Sequence, residues 1–160
     1  MKHPILLSIF ITFLILQSCQ EKKSQKPLPT NIQPKNISAE CFTAIYKQDT
    51  LDLGLVKTKT DTVTGSLVMK LDGMPEKTGT ITGKFHGDTL YVNYTFTQGA
   101  NKRVVFKNPL ALLKKGNQLI LGNGEIQTTM GASYFVKGKP IDFERVKYKF
   151  TAVECENIKE

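Results

Sequence analysis

The chain has 160 residues, a formal charge of +8, 40% apolar residues and no tryptophan. That length suits one domain with a real core and is too short for two of ordinary size. The positive charge invites an anionic partner, yet much of it sits before residue 39, where Lys22, Lys23, Lys26 and Lys35 face Glu21 alone. The remainder is mildly basic, with no basic helix and no aromatic ladder interleaved with arginine, which argues against nucleic acid.

Residues 1–18 open on Lys2, run without a charge from Ile5 to Leu16 and close on small and polar residues. A positive start and a short apolar centre describe a secretory signal, shorter than a comfortable membrane span. The ending Leu16-Gln17-Ser18-Cys19 resembles the lipobox of bacterial lipoproteins. That resemblance implies that Cys19 becomes the lipid-modified N-terminal residue of the mature protein; the competing reading is a retained transmembrane anchor with an incidental cysteine. Residues 19–38 carry three prolines and almost nothing apolar, so they read as the lipidated cysteine and a flexible tether. Gln20 is not the aspartate associated with inner-membrane retention, which favours the outer membrane and leaves its side open.

With Cys19 assigned to lipid, Cys41 and Cys155 remain at opposite ends of the 39–160 domain. In an oxidising envelope they are expected to pair, closing a long loop for which chain entropy gives about 4.7 kcal/mol at most; two separate buried thiols are the alternative. Two distant cysteines and the single mature histidine, His86, make no metal ligand set, and no cofactor is expected.

From Cys41 onward the words are strand-like. Phe42, Ala44 and Tyr46 alternate with Thr43 and Ile45; Leu51, Leu53 and Leu55 follow; then Val63, Gly65, Leu67, Met69 and Leu71. The stretch Thr78–Phe96 reads as a hairpin turned at His86-Gly87-Asp88-Thr89, with Ile81, Gly83 and Phe85 facing Leu90, Val92, Tyr94 and Phe96. Gln98–Asn101 reads as a loop and Arg103–Lys107 as a strand. Asn108–Gly116 is open to two readings, a helix capped by Asn108 with Pro109 in its first turn, or a strand turned at Lys115-Gly116-Asn117 into Gln118–Leu121; the strand-rich surroundings favour the latter. Ser133–Val136 and Val146–Ala152 complete the set, with one turn at Ile141–Glu144. No helical period long enough for a crossover separates these strands. The fold class is therefore all-β, an antiparallel meander of about eight or nine strands.

The lipobox, the tether, Cys41-Phe42-Thr43-Ala44, Asp49-Thr50, the word Gly79–Leu90 and the late Cys155 resemble a group of small uncharacterised lipoproteins of Bacteroidetes. The meander is similar to a lipocalin-like or calycin-type barrel, in which closure removes exposed edges. The resemblance implies an envelope location and carries no activity with it.

Catalysis has little to work with. His86 is expected as an exposed turn residue, and Asp49, Asp61, Asp72 and Asp88 as turn makers, so no catalytic residue is assigned and the chain is read as a non-enzyme. Tyr46, Met69, Phe85, Tyr94, Phe96, Tyr148 and Phe150 would line a ligand cavity if the barrel is hollow and fill it if it is not; the filled interior is preferred. Thr50, Thr62 and Thr89 each follow an aspartate and precede an aliphatic residue, a triplet that resembles the O-glycosylation acceptor of Bacteroidetes envelope proteins, although turn and strand chemistry also accounts for it. The expectation is a lipid-anchored envelope protein of structural or interaction type, bound to the membrane through its anchor and to an envelope protein partner; the alternative is a binding module for a small apolar or amphipathic ligand.

Overall fold

The computed structural model describes residues 39–155 except 59 and 131, so the leader, Cys19 and the tether lie outside the described residues. Among the described residues there are ten strands: β1 (Ala39–Tyr46), β2 (Asp49–Lys57), β3 (Thr62–Lys70), β4 (Lys77–His86), β5 (Thr89–Gln98), β6 (Asn101–Lys115), β7 (Gln118–Leu121), β8 (Ile126–Thr129), β9 (Ala132–Phe135) and β10 (Lys149–Val153). Eight of them close an antiparallel barrel in the order β1-β10-β7-β6-β5-β4-β3-β2, and β8 with β9 forms a separate hairpin. This is the all-β, lipocalin-like meander expected, with the hairpin inserted between two barrel strands.

Alternation builds the interior. On β5, Leu90, Val92, Tyr94 and Phe96 are buried while Tyr91, Asn93 and Thr95 face solvent. Sixteen buried side chains form one interior cluster, including Phe42, Leu51, Leu67, Ile81, Tyr94, Leu112, Leu119 and Phe150. Thr78, Thr80, Thr82, Lys84 and His86 make the outer face of β4. Apolar inside and polar outside is the reverse of a lipid-facing barrel. Three inward positions admit only glycine: a Cβ on Gly83 would run into the carbonyl oxygen of Tyr91, one on Gly79 into that of Thr95 and one on Gly65 into that of Gly54. Sheet curvature therefore rests on backbone passing close to backbone.

Tight turns set the register. The loops Lys47-Gln48, Gly87-Asp88, Gly99-Ala100 and Gly116-Asn117 each join paired strands. In each, the first residue has positive φ, between 55° and 60°. A II′ turn gives that position to glycine, and Lys47 is the exception.

The region 108–116 is strand, as preferred. Pro109 is accommodated because β7 pairs with β6 only over Leu112–Lys115, so at Pro109 the flank away from β5 has no barrel partner and the missing N–H costs no ladder bond. The expected loop is a turn at Gly99-Ala100, and the expected strand Arg103–Lys107 runs on through residues 108–115 as one continuous β6 with an irregularity. Between Phe96↔Phe106 and Gln98↔Asn101, Thr97 alone stands opposite Lys102, Arg103, Val104 and Val105, so β6 bows outward there.

The seam of the barrel is narrow. β10 meets β1 through Cys41↔Val153, Phe42↔Ala152 and Thr43↔Thr151, and meets β7 through Lys149↔Ile120, Phe150↔Leu119 and Thr151↔Gln118. Cys41 and Cys155 are disulfide-bonded with their Cα atoms 5.3 Å apart, stapling this seam at one end. The described residues thus hold a closed sheet, a core and a covalent staple. The segment after β9 is tied down by the Asn123↔Asp142 bridge, and Asp142 Oδ1 accepts the backbone N–H groups of Glu144 and Arg145.

Candidate functional site

The barrel interior is the first place to look. Tyr94 and Phe150 are each 1% exposed, Phe96 5% and Met69 8%, and all four belong to the interior cluster. Tyr94 stacks on Phe96 with ring centroids 4.6 Å apart, and Phe96 stacks in turn on Phe106. The Tyr94 hydroxyl donates to the Leu67 carbonyl at 3.0 Å. Burial, helped by the Glu76 carboxylate, pushes its pKa well above the usual phenol value. Phe85 and Tyr148 are half-buried against the cluster, whereas Tyr46 is exposed at the rim. Of the residues expected to line or fill the interior, most are therefore packed against one another.

At the end of the barrel where β1 turns into β2, one carboxylate joins three segments. Asp49 Oδ1 accepts the N–H of Asp72 at 2.7 Å, and Asp49 Oδ2 accepts the Tyr148 hydroxyl at 2.7 Å. The Asp72 N–H, the Tyr148 hydroxyl and the nearby Lys147 and Lys47 hold the Asp49 pKa below its ordinary value. Burial, and then the Asp49 hydrogen bond, raise the Tyr148 pKa to about 12. Tyr46 meets Tyr148 edge-on at 6.3 Å, and Lys47 and Lys147 both lie over the Tyr46 ring. Asp49 does more than make its own turn: it fastens the approach to β10. Sequence reading missed this because Tyr148 lies 99 residues away.

The opposite end, where β1 begins and β10 ends, opens into two adjoining hollows. The larger, about 540 Å³, lies between the β6–β7 turn and the paired ends of β1 and β10, with Phe42, Leu119, Ala152 and Val153 among its walls. The smaller, about 180 Å³, reaches into the barrel mouth and is lined by Glu40, Leu55, Lys57, Val63, Phe85, Lys114 and Leu119. Glu40, Lys114 and Leu119 belong to both. No local sequence pattern announces this place, since its walls come from strand ends far apart in the chain.

Exposed apolar side chains are unevenly spread. Among the described residues eleven large ones are exposed, and six of them, Val104, Val105, Phe106, Ile126, Met130 and Tyr134, lie on the bowed part of β6 and on the β8–β9 hairpin. These elements are neighbours, β9 lying alongside β6. Lys102, Arg103 and Lys107 flank the β6 residues and are exposed. Alternation in Arg103–Lys107 read as a strand but gave no sign that the strand bows out of the barrel wall.

The remaining candidates are dispersed. His86 is exposed at the end of β4, edge-on to Tyr91 at 5.7 Å. Thr50, Thr62 and Thr89 are half-buried at the starts of β2, β3 and β5, and the Thr62 carbonyl accepts from both the N–H and the hydroxyl of Thr58. Among the described residues no cluster of histidine, cysteine, aspartate and glutamate is placed to hold a metal ion. Cys19 lies outside the described residues. No protein-family model, curated protein or solved structure matches the chain.

Proposed function

We propose that this chain is an envelope lipoprotein, anchored through Cys19 to the outer membrane, whose barrel works by contact with an envelope protein rather than by chemistry or by carrying a ligand inside. The observation that carries the reading is the clustering, among the described residues, of six of the eleven exposed large apolar side chains on β6 and the β8–β9 hairpin. Soluble monomers seldom gather such residues in one region without a partner. The packed interior supports it, because Tyr94 and Phe150 occupy the space a carried ligand would need. The Cys41–Cys155 disulfide fits an oxidising compartment outside the cytoplasm. A partner suited to this face presents an apolar centre with acidic residues around it, opposite Lys102, Arg103 and Lys107.

Photo-crosslinking side chains placed at Val105, at Tyr134 and, as a control, at Thr80 on the outer face of β4 test the reading in cells of the source organism. A discrete adduct from the first two positions and none from the third is expected. Equal labelling from all three, or none, overturns it. The anchor is tested separately: the N-terminal peptide of the mature protein should carry acyl mass on Cys19, and Cys19→Ala should release the protein from membranes.

A further inference from the structure

The two hollows at the mouth differ in chemistry. The larger is mostly apolar, walled by Phe42, Leu119, Ala152 and Val153, and its volume of about 540 Å³ lies within the range of small-molecule sites. The smaller combines apolar Leu55, Val63 and Phe85 with two lysines, Lys57 and Lys114, against one carboxylate, Glu40. Among the described residues Lys114 makes no ion pair, and Lys57 has only the exposed Asp61 at 3.4 Å, a weak hold. Glu40, Lys114 and Leu119 line both hollows and Glu154 the larger, so the excess of positive charge is confined to the smaller, and one elongated molecule would meet it at one end and the apolar wall at the other.

We propose that the barrel mouth binds a single-chain amphipathic anion, its apolar chain lying along Phe42, Leu119, Ala152 and Val153 and its head group held by Lys114 and Lys57. Glu154 on the outer wall sets the specificity. A second negative charge at the far end of the ligand would face this carboxylate, so a monoacid is preferred over the diacid of equal length. The site shares no residue with the apolar region of Val104–Phe106 and the β8–β9 hairpin or with the partner contact proposed there, so either idea fails or stands without the other.

Dodecanoate is the probe, titrated into the isotope-labelled chain from residue 20 onward, which keeps the whole domain and lacks the apolar leader. Saturable amide shifts centred on Phe42, Lys57, Phe85, Lys114 and Leu119 are expected, with dodecanedioate binding more weakly. Lys114→Glu should weaken binding about tenfold or more and Lys114→Gln by less, because a charge-assisted contact is lost in both and a repulsion is added in the first. Lys84→Glu, on the exposed outer face of β4, should bind as the wild type. Shifts that fail to saturate, shifts centred on Val105 and Tyr134, or folded Lys114 variants that bind like Lys84→Glu would overturn the proposal.

Discussion

The two halves of this barrel are built on different terms. From β2 to β5 the strands are nine or ten residues long and pair along nearly their full length. Across the seam, β7 has four residues and β10 five, and β10 is joined to β1 and β7 through three residue pairs each. The long half is held by inward side chains in a continuous ladder. The short half is fastened at two points instead, by the disulfide at one end of β10 and by the Tyr148–Asp49 hydrogen bond just before its other end. Where a sheet cannot supply enough paired length, a covalent bond and a part-buried polar contact set the closure.

The largest effect should come from the long half. Phe96→Ala removes a ring that is 5% exposed and stacked on both Tyr94 and Phe106, and should cost about 3–5 kcal/mol in chemical denaturation. A loss below about 1 kcal/mol would mean that packing does not carry this half. Next comes the staple. Replacing Cys41 and Cys155 together by alanine should cost about 2–4 kcal/mol. Hydrogen exchange should show that loss concentrated in β10 and β7, with β4 and β5 still protected. Uniform loss of protection would erase the distinction between the halves.

The polar fastening gives a smaller effect with a pH signature. Tyr148→Phe should cost about 1–2 kcal/mol at neutral pH. The Asp49 pKa lies below its unfolded value, so its contribution is present above about pH 4 and is lost as pH falls through the folded value. The Tyr148 pKa is raised to about 12, so its contribution is present below about pH 10 and is lost as pH rises through the folded value. Tyr148→Phe should therefore flatten the stability profile at both extremes, and thermal melts from pH 3 to 11 measure it. The smallest effect has the opposite sign: Lys47 sits at φ 55°, so Lys47→Gly should stabilise by about 0.5–1 kcal/mol, the amount by which relief of strain exceeds the added freedom of the unfolded chain.

The same contrast explains what could be read from the residues alone. Leu90, Val92, Tyr94 and Phe96 declare their face because a long strand with one buried side repeats its pattern enough times to be seen. The β8 segment Ile126–Thr129 is exposed throughout and carries no such pattern, so it passed unnoticed. Pro109 blurred β6, since proline usually argues against a strand and only the shortness of β7 makes room for it. The cysteine pair was legible by counting, whereas the Asp49–Tyr148 bond and the mouth of the barrel arise from closure itself. Residues from β1, β6, β7 and β10 share that mouth only once the meander has come full circle.

The staple also decides how the domain would respond to force. Cys41 and Cys155 join positions 114 residues apart in sequence and 5.3 Å apart in space. Tension drawn between the two ends of the domain would pass from one cysteine to the other through sulfur and leave the strands between them unloaded. With the bridge oxidised, a pulled molecule should not lengthen by unravelling the barrel. Reduced, it should release the enclosed chain at up to about 3.5 Å per residue. A protein held by its two ends would in this way keep its fold under strain that its short seam strands could not bear alone.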